Sequence, residues 1–563
     1  MGVKIDFFVK YQQWLKNENT DDATKADLES IAGDENEIKE RFYCDLEFGT
    51  GGLRGVIGAG TNRINKYMIR KTTKGYAEYI KAIGAEACAR GVVIAHDNRR
   101  FSVEFAEETA GVLAANGIKA YLFDSLRPTP ELSFAVRALN AFGGVVITAS
   151  HNPPEYNGYK LYDERGCQLV PHVNDKVVEQ ISKIEDPLSV KALSKAEAGD
   201  LIVTLDNSID ETYYKTVMGV ALQPDIDKSK IKIVYSPQHG TGNIPVRTVL
   251  DRLGYCVIPV EEQCVPDTEF SKTLNPNPET AEAYVLALDY AKRTDADIVI
   301  TTDPDCDRLG VAVKHKGEYV RMTGNQSAAV LLEYILAQRT AKGTLPKNGV
   351  MFNTIVTSDL GDRICENYGV SVEKTLTGFK FIGDKIYRHE TDGDKTFVFG
   401  YEESYGCLIS DCVRDKDAVQ AAMMLCESAA YYNAKGMTLI DALEALYAKY
   451  GFFLDALDNF TFKGLDGAQK IKDLVNGLRN DPPKTAGNLE VLEMEDYTSK
   501  KMMDAGFPKS DVLRFIMKDG SWVAVRPSGT EPKCKFYFCI VAPSRTEAEE
   551  KLGQMRAAFE KNC

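Results

Sequence analysis

The 563-residue sequence has no Cys-x-x-C pair among its thirteen scattered cysteines, and an odd number fits neither a disulfide framework nor a zinc ribbon. Four residues separate Cys407 from Cys412, without a second pair or a His motif beside them. Reduced thiols in a cytoplasmic protein are the expectation. No apolar run is long enough to span a bilayer. The opening Met1-Gly2-Val3-Lys4-Ile5-Asp6 is not a signal peptide, and nothing follows Cys563 to make a prenylation box. An excess of positive charge is missing too: Lys plus Arg number 68 against 82 Asp plus Glu, a net charge of −14. That balance argues against nucleic-acid and anionic-membrane partners, although a local Arg/Lys cluster can still hold a small anion.

Several motifs are also missing. Ala149 and His151 flank Ser150, so the Gly-x-Ser-x-Gly elbow of hydrolases is not there. Phe48-Gly49-Thr50-Gly51-Gly52-Leu53-Arg54-Gly55 is glycine-rich, but Arg54 stands where G-x-G-x-x-G needs its third glycine, and no Gly-Lys-Ser/Thr makes a P-loop. A glycine turn presenting Arg54 is the expectation, with a purely structural turn as its alternative.

What is present is an alternation of strands and helices. Hydrophobic content of 44% and charged content of 27% are ordinary for a globular protein, and the length suggests about four domains. After a helical stretch over 5–48, the pattern predicts a helix over 69–90, a strand at Val92–Ala95 and a helix capped by Ser102. The strand Ala120–Phe123, another helix and the strand Val145–Thr148 follow. Such alternation implies a parallel sheet covered on both faces. It restarts near 205 and near 320, and in each unit a late apolar strand ends in a polar loop, near 150, 303 and 400. From about 455 the character changes. Val512–Met517, a Lys518-Asp519-Gly520 turn and Trp522–Val525 predict a hairpin, followed by a strand at Phe536–Val541 and a helix over 546–560.

Four segments carry chemistry. Thr148-Ala149-Ser150-His151-Asn152-Pro153-Pro154 puts a hydroxyl at the carboxyl end of a central strand, where open α/β sheets place ligands, so Ser150 is a candidate nucleophile or phosphate carrier. Plain turn chemistry is the alternative. Asp303-Pro304-Asp305-Cys306-Asp307-Arg308 follows a strand directly. Carboxylates at i, i+2 and i+4 of an extended chain project to one side and suit a divalent cation with positions left for phosphate oxygens. A solvated acidic loop is the alternative. An EF-hand fails, because Arg308 takes its glycine position and Lys314 its bidentate Glu position. Gly400-Tyr401-Glu402-Glu403-Ser404-Tyr405-Gly406 suits hydrogen bonding to vicinal sugar hydroxyls. In the following Arg414-Asp415-Lys416-Asp417, Lys416 is a candidate proton-transfer group, or part of a surface charge run. Arg526-Pro527-Ser528-Gly529-Thr530-Glu531-Pro532-Lys533 reads as a phosphate clamp or a plain hairpin loop.

In this order, the four segments resemble those of the α-D-phosphohexomutases, the phosphoglucomutase/phosphomannomutase family. Gly-Thr-Gly-Gly-Leu-Arg-Gly and Thr377-Gly378-Phe379-Lys380 resemble its longer branch, which includes phosphopentomutases and glucose-1,6-bisphosphate synthases. The resemblance implies an α/β fold of three related units with mixed, mostly parallel sheets and a smaller C-terminal α+β domain, four domains around one cleft, at 1–204, 205–319, 320–454 and 455–563. It implies a phosphoserine at Ser150, beside His151, and Mg²⁺ held by Asp303, Asp305, Asp307 and that phosphate. It assigns Arg54, Lys160 and Arg308 to the reacting phosphate, and Thr377, Gly378, Lys380, Glu402 and Ser404 to the sugar side. Arg526, Ser528, Gly529, Thr530 and Lys533 fall to the distal phosphate. Shorter members carry a His where this chain has Gly406, so Lys416 is expected to take the proton-transfer role. The expected partners are phosphosugars, with glucose 1,6-bisphosphate as activator and intermediate, in a monomer or weak homodimer.

Overall fold

The computed structural model describes residues 6–49, 51–461, 467–527 and 533–560. The chain divides into two units. One comprises Met1–Arg321, Ile382–Gly393 and Gly406–Tyr431; the other comprises Met322–Phe381, Asp394–Tyr405 and Tyr432–Cys563.

The first unit opens with helices Phe7–Lys16, Asp22–Ser30 and Glu35–Phe42. Each starts where an aspartate (Asp6, Asp21, Asp34) accepts a backbone N–H of the first turn. They close around Tyr11, Trp14, Phe42 and Tyr67, whose rings meet edge to face.

The first sheet runs Gly52–Val56, Tyr156–Asp163, Gly143–Ile147, Val92–His96, Ala120–Phe123, Ile202–Leu205. The last four strands are parallel, and Tyr156–Asp163 is antiparallel to both neighbours. Two expectations are corrected here. Gly52–Val56 is an edge strand rather than a turn. Gly52 (φ +141°) lies against the Tyr159 carbonyl, which a Cβ would overlap, so its glycine serves close backbone approach. Ser102 is not a cap. Phe101 in the left-handed region precedes the helix Ser102–Ala115, and Ser102 Oγ donates to Asp97 Oδ1 at 2.8 Å.

The second sheet runs Glu318–Met322, Leu309–His315, Ile298–Thr302, Lys232–Ser236, Cys256–Pro259. Ile298–Thr302 and Cys256–Pro259 lie parallel to Lys232–Ser236, while Leu309–His315 returns antiparallel. Both Gly143–Ile147 and Ile298–Thr302 are buried along their whole length, so the loops after them leave from the sheet interior.

In the second unit, Gly349–Thr354 pairs in parallel with Ser371–Thr375 and Thr396–Tyr401. The C-terminal sheet runs Phe452–Thr461, Lys533–Ala542, Trp522–Pro527, Leu513–Met517, Leu489–Asp496, Thr485–Ala486, and every pairing in it is antiparallel. The expected hairpin is present, and the last expected strand extends to Lys533–Ala542. Its core joins Phe515, Val525, Phe536 and Phe538 to Leu552 and Phe559 of the helix Arg545–Glu560. The fold is thus three α/β domains with mixed sheets and an all-antiparallel C-terminal domain. Among the described residues no helix is long and apolar enough to cross a membrane.

Candidate active site

The first unit gathers the serine loop and the aspartate loop. Ser150 is buried and adopts a left-handed backbone (φ +52°), unusual for serine. Its amide donates to Thr148 Oγ1 at 2.9 Å, and the Thr148 amide in turn donates to the Gly158 carbonyl at 3.1 Å. Ser150 Oγ donates to Asp303 Oδ2 at 2.7 Å and lies 3.2 Å from His151 Nδ1. Burial, with Arg308 and Arg54 nearby, holds the His151 imidazole well below its usual pKa, so it is neutral at pH 7.

The three aspartates are buried, and their oxygens lie within 4.8 Å of one another. They converge through a turn rather than by alternation along an extended chain. The Cys306 amide donates to the Asp303 carbonyl (2.9 Å), and Cys306 takes φ +56°. Asp303 Oδ1 accepts the amides of Asp307 and Arg308, both at 3.1 Å. Oδ1 of Asp305 and Oδ1 of Asp307 are buried with no hydrogen-bond donor. Burial and the two neighbouring carboxylates push the Asp303 pKa well above the usual range. Buried, orphaned carboxylate oxygens of this kind fit a hard divalent cation such as Mg²⁺.

Cations border the trio. Lys160 Nζ donates to Asp305 Oδ2 at 2.7 Å; although burial opposes it, Lys160 holds that carboxyl far below its usual pKa. Lys416 Nζ lies 3.2 Å from Asp307 Oδ2 and 3.2 Å from Asp415 Oδ1. Its stem crosses Gly406 so closely that a Cβ there would overlap Lys416 Cδ. The lysine stem thus occupies the space that a side chain at position 406 would need. Arg54 is exposed and donates to Asn152 Oδ1 at 3.0 Å, while Arg308 Nη1 donates to Glu279 Oε1 at 2.5 Å.

In the second unit, buried Glu402 accepts the Gly378 amide on Oε1 at 2.7 Å, and Gly378 sits at φ +119°. Glu403 accepts from Thr354 Oγ1 (3.1 Å) and Thr357 Oγ1 (3.3 Å); burial and Glu402 raise its pKa to about 7. The backbone of Glu403 and Tyr405 packs so closely on Gly324, the first residue of the helix Gly324–Ala341, that a Cβ there would lie 2.5 Å from the Glu403 carbonyl oxygen. Thr377 and Ser404 are half-buried, and Lys380 is buried with Nζ 5.4 Å from the Phe381 ring. Arg526 and Lys533 stand at the facing ends of Trp522–Pro527 and Lys533–Ala542. Ser528, Gly529 and Thr530 lie outside the described residues.

Sequence reasoning missed two supporting groups. Thr129 donates its amide to the Asp305 carbonyl and its Oγ1 to Asp305 Oδ2, both at 3.0 Å. Tyr162 donates to Asp415 Oδ2 at 2.8 Å, beside Lys416. The only local signal for Thr129 is its place after Arg127-Pro128, opening a helix.

Four family models, described as phosphoglucomutase/phosphomannomutase alpha/beta/alpha domains I, II and III and the C-terminal domain, match residues 45–187, 211–317, 323–450 and 474–551. A phosphoglucomutase of Staphylococcus epidermidis is 39% identical over 515 residues, covering 90% of this chain and 92% of its own. One from Staphylococcus aureus is 36% identical over 552 residues, 96% of this chain and 97% of its own. Among solved structures, the open form of Paramecium parafusin superposes with a TM-score of 0.70 at 18% identity, covering 92% of this chain and 95% of that one.

Proposed function

The chain belongs to the phosphoglucomutase/phosphomannomutase family, and we propose that it interconverts α-D-glucose 1-phosphate and glucose 6-phosphate through phosphoserine 150 and a glucose 1,6-bisphosphate intermediate. The choice of glucose is supported by relatives named phosphoglucomutase that match nearly end to end. One observation carries the chemistry: Ser150 Oγ lies 2.7 Å from a buried trio of aspartates.

Asp303, Asp305 and Asp307, with a phosphoryl oxygen on Ser150, would hold Mg²⁺, which when bound offsets charge on the phosphoryl oxygens. The remaining work falls to the chain. The free hydroxyl of the sugar phosphate attacks phosphorus, the bond from phosphorus to Ser150 Oγ breaks, and Lys416 Nζ, as the neutral amine, takes the hydroxyl proton and becomes the ammonium. His151 Nδ1 hydrogen-bonds the departing oxygen. Lys160, Arg54 and Arg308 offset the charge of the phosphoryl group in flight. Glu402, Ser404, Thr377, Gly378 and Lys380 orient the sugar, and Arg526, Ser528, Gly529, Thr530 and Lys533 hold the phosphate that is not reacting. The bisphosphate turns over and its other phosphate returns to Ser150. The same reading places the domain boundaries at 204, 319 and 454, and the protein in the cytoplasm as a monomer or weak homodimer.

A substrate panel tests the sugar. Glucose, mannose and ribose 1-phosphates are each supplied with Mg²⁺ and the matching bisphosphate. Glucose 1-phosphate is expected to give the highest kcat/KM; a higher value for mannose or ribose would reassign the chain within the family.

A further inference from the structure

Arg99 belongs to none of the four segments, yet its side chain is wholly buried and its terminal nitrogens all point at one loop. Nη1 donates to the Pro153 carbonyl at 2.8 Å and the Tyr156 carbonyl at 3.0 Å. Nη2 donates to the Ser150 carbonyl at 2.6 Å and the Asn152 carbonyl at 2.5 Å. Three carbonyls of the serine loop, and that of Tyr156 at the start of the strand after it, therefore converge on a single planar cation.

Pro153 and Pro154 have no N–H and keep their segment out of any helix or strand ladder. The Pro153 carbonyl also accepts the Tyr156 amide at 3.1 Å, whereas Ser150 is buried, where an unpaired carbonyl is costly. The planar guanidinium fork sets its donors toward all four oxygens from two nitrogens; a lysine ammonium has three donors on a single nitrogen and lacks that fork. The bond to the Ser150 carbonyl also fixes the Ser150–His151 peptide plane, and with it the left-handed backbone that aims Oγ at Asp303.

Arg99 is itself held from several sides. Asp97 Oδ2 lies 3.2 Å from its Nε, and Asp97 Oδ1 accepts the Arg99 amide at 2.9 Å. The Phe270 ring stands 5.1 Å from the guanidinium carbon. On either side, Asn98 Nδ2 donates to the Asp267 carbonyl (2.8 Å) and Arg100 pairs with Glu269 (2.8 Å), tying this loop to the segment that carries Phe270.

We propose that Arg99 is the positioning residue of the phosphoserine loop, fixing Ser150 for phosphoryl transfer through its four carbonyl bonds without touching sugar or phosphate. The proposal rests on the reading of Ser150 as the phosphoryl carrier. It predicts a kinetic effect on transfer and a physical effect on the loop, and the second is independent of which sugar is turned over.

The test compares wild type, Arg99→Lys, Asp97→Asn and the surface control Arg293→Gln, an exposed arginine paired with Asp289 of its own helix. Arg99→Lys is expected to lower kcat by about 10²-fold with KM changed less than about threefold, because misplacing a reacting group by about 1 Å costs rate rather than binding. Asp97→Asn, which loosens Arg99 but keeps it, is expected to lower kcat by a smaller factor, and Arg293→Gln to match wild type. Hydrogen exchange followed by mass spectrometry is expected to show faster amide exchange across 150–157 in Arg99→Lys, with the strand Gly143–Ile147 unchanged. If Arg99→Lys does not fold, Asp97→Asn carries the same two readouts. A folded Arg99→Lys with kcat within about twofold of wild type, or with unaltered exchange across 150–157, would overturn the proposal. Wild type that turns over no sugar phosphate would instead defeat the functional reading, and the exchange result would still decide the clamp.

Discussion

Lys416 lies across Gly406, and Gly406 has no side chain because the lysine stem needs its space. The two positions therefore act as one device. Gly406→Ala should push Lys416 Nζ away from Asp307 and lower kcat by about 10²- to 10⁴-fold, as loss of general acid–base catalysis does. Lys416→Met should give a similar loss. Since both remove the same contact, the double variant should be little worse than either single one; additive losses in steady-state kinetics would contradict the coupling. Ser150→Ala should abolish turnover while the thermal midpoint stays close to wild type; near-normal activity would remove Ser150 from the mechanism. Ser150 and the three aspartates were legible because residue type and spacing single them out, whereas Lys160 was picked out only by the family resemblance. Thr129 and Arg99 were not, because each acts on a loop far away in sequence. Arg127-Pro128-Thr129 and Asn98-Arg99-Arg100 look like ordinary connections until the fold brings their partners to them.

At the level of elements, the loops after Gly143–Ile147 and Ile298–Thr302 were readable as polar exits from apolar strands, but their internal shape was not. The aspartate loop is a turn backed by Gly240, where a Cβ would overlap Pro304. Thr241 also donates its amide to the Pro304 carbonyl at 2.8 Å. Gly240→Ala should displace Asp303 and Asp305 and weaken Mg²⁺ binding by about 10-fold, the usual cost of disturbing the support of metal ligands. Calorimetric titration with Mg²⁺ checks this, and unchanged affinity would show that Gly240 does not shape the loop. The edge strand Gly52–Val56 was misread because glycines mark turns and close sheet contacts equally well in sequence. The strands Phe452–Thr461 and Leu489–Asp496 were missed for another reason: both are mostly half-buried or exposed, so their apolar residues do not form a strong run.

At the scale of the whole molecule, carboxyls raised by burial outside the aspartate trio link stability to pH, Glu403 and Asp455 among them. Burial and Glu402 raise Glu403 from 4.5 to about 7, and burial raises Asp455 from 3.8 to about 6. Each binds its proton more tightly in the folded state, so between the unfolded and folded pKa values the native protein holds more protons. Their contribution to stability is full below the unfolded values and is lost as pH rises through about 6 for Asp455 and about 7 for Glu403. The thermal midpoint of wild type should therefore fall more steeply between pH 5 and 7.5, roughly that window, than that of the Glu403→Gln/Asp455→Asn variant. Equal slopes would show that these carboxyls are ionised in the folded protein.

The four-domain division followed from restarts of the strand–helix alternation and a late change of character. The central claim, that Ser150 gives its phosphoryl group to one end of the sugar and takes back the phosphate from the other, is tested most directly by ³¹P NMR of the protein with Mg²⁺, a trace of glucose 1,6-bisphosphate and glucose 1-phosphate. The account predicts that the 1-phosphate resonance gives way to that of glucose 6-phosphate while inorganic phosphate stays flat. Steady growth of inorganic phosphate, with no 6-phosphate, would contradict it and make the protein a phosphatase.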